Sequence, residues 1–121
     1  MRPVIWIGSS LDDLKDFPDD VQDVMGYALY LAQTGGKHPD AKPLAGDPAF
    51  RGAGVLEVID DYQGDTYRAV YTVRYSDAVY ALHCFQKKST HGIATSQRDI
   101  ELVNRRLRMA EDEHRRCIRE L

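Results

Sequence analysis

The chain has 121 residues, the size of one ordinary domain and too short for two separate cores. Its composition, 43% hydrophobic and 29% charged, is that of a folded protein, and no apolar run approaches the roughly 20 residues that span a bilayer. The first residues lack the long apolar stretch of a signal peptide, and two cysteines are too few for a disulfide scaffold. We therefore exclude membrane-spanning, disulfide-rich, collagen-like and repeat architectures, and we expect one domain over residues 1–121 in a reducing, cytoplasmic setting.

The net charge of −3 hides an asymmetry along the chain. Residues 1–67 hold five Lys/Arg against twelve Asp/Glu, whereas residues 68–108 hold eight Lys/Arg against three Asp/Glu. Because salt screens distant charges more than near ones, the basic segment can attract phosphates even on an acidic protein. Charge alone leaves two interpretations open, a solvated surface without a target and an anion-binding surface.

The first half of the chain predicts a strand, two helices and a long loop. Residues 3–8 form a short apolar run typical of a strand, and a serine-capped short helix follows and ends at Pro18. A second helix begins near Asp19, places apolar residues at three- and four-residue spacing, and stops at the glycine pair 35–36. Residues 37–54 are rich in proline and glycine and predict a loop without regular structure.

The second half predicts a meander followed by a helix. Residues 55–59, 67–75 and 78–86 are rich in β-branched and aromatic side chains, and the short connections between them force an antiparallel arrangement. Thr95 or Ser96 caps a long helix that runs to about Cys117, and with Ser96 as the cap, Asp99 lies three residues on, a spacing like that of a capping box with Asp in place of the usual Glu. The order β-α-α-β-β-β-α predicts a small α+β domain with helices packed on one face of a mostly antiparallel sheet.

Several chemistries lack their motifs in this sequence. It contains no GxxxxGK[ST], GxGxxG, GxSxG or HExxH pattern, so nucleotide-binding, serine-hydrolase and zinc-protease functions have no support. His83 and Cys84 are adjacent on a strand and point to opposite faces, while His114 and Cys117 share a helix face but are only two ligands. We expect no metal and no cofactor, and we expect both cysteines to act as small buried hydrophobes.

Cations and one acid on the predicted strands form the remaining candidate site. Arg68 and Arg74 fall on the same side of their strand, and Lys87 and Lys88 follow the next one. An arginine within a small domain cannot be buried unpaired, and Glu57 on the preceding strand is its nearest candidate partner. This face is therefore exposed, ion-paired or a functional site. An ion-paired outer sheet face with lysines protecting its edge is the structural alternative.

Three segments carry a family resemblance: GVLEVI at 54–59, YRAVY at 67–71, and YALHCFQKKSTHGIAT at 80–95. A helix bearing Arg98 and Asp99 follows them, and the first half of the chain agrees in layout. The most specific feature is FQKKS after the last strand, combined with YRAVY at the expected distance before it. Together they resemble the RelE/HigB-like toxins of bacterial type II toxin–antitoxin systems, in particular the phage-derived branch.

The resemblance implies a small RNase fold that cleaves messenger RNA, typically on the ribosome, and is silenced by a helix-turn-helix antitoxin protein. Arg68 then matches the family's strand arginine, which contacts the scissile phosphate. Lys87 and Lys88 match its paired basic residues, and Glu57 matches a frequent acidic position. Two features depart from the family pattern, namely Val58, where members often have arginine, and the acidic overall charge.

The chemistry implied by the resemblance suits these residue types. RNA carries its own nucleophile, the 2′-hydroxyl, so the protein needs only to orient it, stabilise the charge on phosphorus and transfer protons. The planar fork of Arg68 suits a bidentate phosphate contact, and Glu57 is a candidate general base. We expect Tyr71, Arg74 and Arg98 to bind RNA, the tyrosine by stacking on a base.

Two other functions remain open from the sequence. One is a catalytically silent relative that acts as an RNA- or protein-binding component of a repressor complex, which Val58 and the acidic charge favour. The other is a phage-derived interaction protein without any role in RNA metabolism. The leading hypothesis is a metal-independent mRNA endonuclease toxin.

Overall fold

The computed structural model describes residues 1–87 and 94–120. Its elements are strand β1 (Val4–Trp6), helices α1 (Ser10–Lys15) and α2 (Asp19–Gln33), strand β2 (Lys42–Pro43), a short 3-10 helix (Pro48–Phe50), strands β3 (Val55–Tyr62), β4 (Asp65–Thr72) and β5 (Val79–Lys87), and helix α3 (Gln97–Arg119). The predicted α+β class is confirmed, and the predicted order of the larger elements is found with one extra short strand.

Within the described ranges, five strands form one sheet in the order β1-β5-β4-β3-β2. Strands β3, β4 and β5 pair antiparallel along the chain, and β1 pairs parallel with β5. The extra strand β2 pairs antiparallel with β3, with Lys42 opposite Glu57 and Pro43 opposite Leu56. The prediction of a structureless loop over residues 37–54 is therefore wrong, because the edge of β3 pairs with part of that loop.

The β3–β4 hairpin is longer than the sequence predicts. Its turn consists of Gln63 and Gly64, which both have positive φ, 49° and 87°, and Tyr62 lies opposite Asp65. Two successive residues with positive φ match the right-handed twist of a two-residue hairpin, so the strands can pair up to the turn. At its other end β4 stops at Thr72, which leaves Arg74 outside the strand and corrects the expectation that it shares a strand face with Arg68.

Helices cover both faces of the sheet, whereas the sequence analysis predicted one covered face. Val103 of α3 belongs to a hydrophobic cluster that includes Val70 of β4. Met25 of α2 belongs to another cluster that includes Ala69, the neighbour of Val70 on the same strand. Successive strand residues point to opposite faces, and β4 is buried on both, so each face has its own helical cover.

A β-bulge in β5 aims two side chains at α3. Between Val70 and Tyr71 of β4, the pairing with β5 skips Leu82. Leu82 packs in the cluster that contains α3, and the adjacent His83 reaches Asp99 of α3. The bulge therefore places both an apolar and a polar side chain of β5 on the side of the sheet that α3 covers.

The start of α3 follows the capping pattern in the sequence. The backbone N–H of Asp99 donates to Ser96 Oγ at 3.2 Å, and Ser96 Oγ donates to Asp99 Oδ2 at 2.7 Å. The first bond is that of an N-cap serine with the third residue of the helix; the carboxylate of Asp99, at the glutamate position of a capping box, accepts from the cap hydroxyl instead of its backbone N–H. The prediction of a cap at 95–96 is confirmed, with Ser96 as the cap residue.

Two glycines before β3 give a matched test of backbone strain. Gly52 and Gly54 have φ of +70° and +62°, but only at Gly54 would an added Cβ meet backbone, 3.0 Å from the amide nitrogen of Arg74. We expect Gly52→Ala to cost about 1–2 kcal/mol of unfolding free energy, the cost of left-handed backbone. Gly54→Ala should cost more, about 2–4 kcal/mol, because a clash adds to the same strain. Denaturant unfolding measures both, and equal losses would contradict the clash.

Candidate functional site

A cleft of about 430 Å³ lies beside the N-terminal end of α3. We call it the Arg68 cleft. Its polar wall is formed by Lys42 of β2, Glu57 of β3, Arg68 of β4 and Thr95, which directly precedes the cap of α3. These residues come from four separate parts of the chain, so only the folded sheet and helix bring them together.

Arg68 and Glu57 form an ion pair in the wall of this cleft. Arg68 Nη1 lies 3.7 Å from Glu57 Oε2, and the two residues are only 4% and 6% exposed. Thr95 Oγ1 joins them, since it accepts from Arg68 Nη1 at 2.8 Å and donates to Glu57 Oε2 at 3.3 Å. The prediction that Glu57 is the partner of Arg68 is confirmed.

The burial of this pair decides one of the alternatives left open for Arg68, because the residue is ion-paired and not exposed to solvent. Removing a charge from water costs several kcal/mol, and an opposite charge offsets this cost only when the geometry is good. Loss of either partner would leave the other charge buried without compensation. Lys42 Nζ lies 3.9 Å from Glu57 Oε1 and its side chain is 60% exposed, so the pair is connected to solvent through this lysine.

Lys87 belongs to a second polar cluster on the same face of the sheet. Its Nζ lies 3.0 Å from Asp99 Oδ2, and Asp99 Oδ1 lies 2.9 Å from His83 Nε2. Phe85, two residues before Lys87, pairs directly with Arg68 across the strands, so Lys87 and Arg68 share this face. Two of the predicted cations, Arg68 and Lys87, therefore lie on the same face of the sheet, while Lys88 lies outside the described residues.

The protonation states in the Asp99 cluster follow from its hydrogen bonds. Burial alone would raise the pKa of Asp99, but hydrogen bonds from His83, Ser96 and Lys87 outweigh it and hold the pKa at about 2. Burial lowers the pKa of His83, and the bond to Asp99 offsets this only in part. His83 is therefore a neutral ring that donates from Nε2, and its buried Nδ1 finds no hydrogen-bond partner within the described ranges.

The predicted RNA-binding residues are scattered. Tyr71 lies on the face covered by α2, is 1% exposed, and has its pKa raised to about 12 by burial. It is not positioned to stack on a base in the Arg68 cleft, because it points away from the face that carries Arg68. Arg74 is exposed beyond the end of β4, with its guanidinium 5.7 Å from the ring centre of Tyr75. Arg98 is exposed in the first turn of α3, next to Asp99.

Sequence reasoning misses several residues of the cleft and of the Asp99 cluster. It assigns Lys42 to a loop, Thr95 to one of two possible caps, and His83 to a set of histidines and cysteines that form no metal site. For Asp99 the sequence offers its capping-box spacing from Ser96 and its place in the helix after the FQKKS segment, and neither predicts contacts with His83 and Lys87. No pattern in the sequence predicts that Lys42 and Thr95 lie close to Glu57.

The histidines and cysteines considered as metal ligands lie apart. Cys84 is buried on the face covered by α2, where burial raises the pKa of its thiol to about 12, while His83 faces α3. Their predicted opposite orientation is confirmed. Cys117 is half-buried. Among residues 1–87 and 94–120, no group of three or more His, Cys, Asp and Glu side chains is arranged to hold a metal ion.

The depressed pKa of Asp99 should make the free energy of unfolding depend on pH between about pH 4 and pH 2. Its pKa is depressed from 3.8 to about 2, so the unfolded chain binds the proton more tightly and stability rises with pH. The contribution, about 2 kcal/mol, is fully present above about pH 4 and is lost as the pH falls through about 2. We expect the difference in unfolding free energy between wild type and Asp99→Asn to shrink across that window. A difference that stays constant from pH 4 to pH 2 would contradict the assignment.

Comparison with known proteins identifies the family. Residues 12–108 match the family model described as "Phage derived protein Gp49-like (DUF891)". No curated protein and no solved structure shows a significant match to the chain. In the part of the chain that the structure describes, no helix is both long and apolar enough to cross a membrane. The match spans most of the chain and includes every strand from β2 to β5 and the start of α3. The chain therefore belongs to the phage-derived Gp49-like family, part of the RelE/HigB-like toxin superfamily.

Proposed function

We propose that the protein is the toxin of a type II toxin–antitoxin pair and cleaves messenger RNA on the ribosome without a metal ion. The observation that carries this proposal is the buried Arg68–Glu57 pair in the wall of an open cleft. Buried charges are costly in a domain of this size, and charged groups gathered in a cleft are typical of catalytic sites. Membership in a family of the RelE/HigB-like superfamily supports the same conclusion.

The proposed reaction uses the nucleophile of RNA itself. The 2′-oxygen attacks the adjacent phosphorus, the O2′–P bond forms and the P–O5′ bond breaks. A general base takes the 2′-hydroxyl proton, and a general acid gives a proton to the departing 5′-oxygen. The products are a 2′,3′-cyclic phosphate and a free 5′-hydroxyl, so no water, metal or cofactor enters the balance.

The positions of the side chains suggest their roles. Arg68 presents a planar guanidinium suited to the extra negative charge on phosphorus. Glu57 is a candidate general base, with Oε1 on the side of the exposed Lys42. Lys87, with a side chain 26% exposed, can donate a proton to the 5′-oxygen. Lys42 adds a positive charge at the entrance to the cleft, where it attracts the RNA backbone.

One observation favours the catalytically silent relative as a second candidate. Both cations already have carboxylate partners inside the protein, Arg68 in Glu57 and Lys87 in Asp99. In this alternative the ion pairs stabilise the sheet and the start of α3, and the surface binds RNA or an antitoxin protein without cleavage. The two candidates differ in whether the purified protein breaks RNA.

Substitutions of Arg68 and Lys87 should slow cleavage without unfolding the protein. Arg68→Lys keeps the charge opposite Glu57 but loses the bidentate fork, and Lys87→Ala removes a partly exposed cation. We expect each to slow cleavage by about 10²–10³-fold, as loss of one donor to a transition-state oxyanion does. Lys15→Ala, which removes a cation from α1 on the opposite side of the sheet, is the matched control and should cleave normally.

The measurement is cleavage of ribosome-bound messenger RNA in EDTA, with thermal unfolding as the check on folding. Arg68→Ala is unsuitable, because removing one partner of a buried pair costs about 3–5 kcal/mol and can unfold the protein. Folded variants that cleave at the wild-type rate would refute the assigned roles. Activity that disappears in EDTA and returns with Mg²⁺ or Zn²⁺ would refute the metal-independent reaction.

Expression in bacteria tests the toxin–antitoxin proposal separately. We expect induction of the wild-type protein to arrest growth, because loss of messenger RNA stops protein synthesis. Co-expression of a neighbouring gene for a small helix-turn-helix protein should restore growth, while Arg68→Lys should be harmless by itself. Normal growth with abundant folded protein would instead favour the silent relative.

A further inference from the structure

Asp99 connects two side chains of β5, on the sheet face that carries Arg68, with the cap residue of α3. One carboxylate oxygen, Oδ1, accepts from His83 Nε2 at 2.9 Å. The other, Oδ2, accepts from Lys87 Nζ at 3.0 Å and from Ser96 Oγ at 2.7 Å. The donors come from β5 and from the cap of α3, so this one carboxylate fastens the end of a strand to the start of a helix.

The carboxylate itself is held firmly. The backbone N–H of Asp99 donates to Ser96 Oγ. Asp99 lies in the first turn of a 23-residue helix, where the helix dipole favours a negative charge. The ring of His83 is 7% exposed and stacks on Phe85 with 4.4 Å between ring centres. Neither Asp99 nor His83 can shift without breaking the cap or the packing of β5.

Lys87 gains a defined position from this arrangement. A lysine side chain has four rotatable carbons and loses about 2 kcal/mol of rotamer entropy when it is fixed. Asp99 fixes its ammonium from one side, and the ring of Phe85 lies 5.9 Å from Nζ. Because Phe85 pairs with Arg68, the ammonium of Lys87 is held on the same face of the sheet as the guanidinium of Arg68.

We propose that Asp99 is the positioning residue of the site: it holds Lys87 in the orientation in which the lysine meets the scissile phosphate group. This inference rests on the proposed RNase function and adds a residue to it. Two other roles of Asp99 would produce the same contacts in the structure. Asp99 could serve only as part of the helix cap, or it could restrain activity by neutralising Lys87.

A double-mutant cycle separates these roles. Asp99→Asn keeps the size of the side chain but removes the charge that orients Lys87. We expect kcat to fall about 10–100-fold, as small displacements of catalytic groups do, with KM for RNA unchanged or lower because a negative charge is lost. In the Lys87→Ala background, Asp99→Asn should cause no further loss of kcat.

Asp77→Asn is the matched control. Asp77 Oδ1 lies 3.3 Å from Nδ1 of His114, which is in the C-terminal half of α3. The variant therefore removes a similar aspartate–histidine contact away from the cleft. Its kcat should equal that of wild type. Thermal unfolding of every variant, with assays run well below the lowest midpoint, separates a loss of kcat from a loss of folded protein.

The outcomes distinguish this inference from the proposed function. If Asp99→Asn cleaves as fast as wild type, Asp99 belongs only to the helix cap; if it cleaves faster, Asp99 restrains Lys87. A loss that persists in the Lys87→Ala background also overturns the inference. If wild type cleaves no RNA, the proposed function fails. The same four variants are then compared by their Kd for a 2′-O-methyl RNA. Additive effects of Asp99→Asn and Lys87→Ala on that Kd would overturn the link between Asp99 and Lys87.

Discussion

The buried ion pair between Arg68 and Glu57 is the constraint on which this end of the molecule depends. The two side chains lie diagonally across β3 and β4, because Glu57 pairs with Val70 and Arg68 with Ile59. Neither charge is tolerable in the interior alone, so other segments of the same chain must supply further polar contacts. Thr95 does so from the segment before α3, and Lys42 does so from β2.

The two faces of the sheet differ in the side chains that they bury. The face covered by α1 and α2 is apolar around Met25 and Tyr71, and it packs as a hydrophobic core. On the opposite face, Ile100 and Val103 of α3 share a hydrophobic cluster with Leu82 of β5. At the N-terminus of that helix the apolar contacts give way to the Glu57–Arg68 and Lys87–Asp99 pairs. The cleft therefore lies where the helical cover begins, and the rest of the sheet supports it rigidly.

An acidic protein with a basic site is physically consistent. Twelve of the nineteen acids lie in residues 1–67, five of them on α1 and α2, whereas Lys42 and Arg68 line the cleft and Lys87 lies on the same face of the sheet. At physiological salt, charges more than about 8 Å apart in solvent are largely screened, so the nearby cations dominate the field at the cleft. Buried pairs are screened less, and their partners reduce the net charge there. Association with a polyanion would thus be weak outside the cleft and strongly dependent on salt.

Local signals in the sequence determined much of the fold. The Ser96–Asp99 spacing predicted the cap of α3, the apolar periodicity after Asp19 predicted α2, and short connections predicted the antiparallel meander, because each depends on residues close in the chain. The pairing of Arg68 with Glu57 was also predictable, since adjacent strands must place them near each other. Only the tertiary structure decided how deeply that pair is buried, that Lys42 and Thr95 complete it, and that a bulge turns His83 toward Asp99. The physical reason is that burial, sheet-edge pairing and contacts between distant segments depend on how all the elements pack together, which no short stretch of sequence encodes.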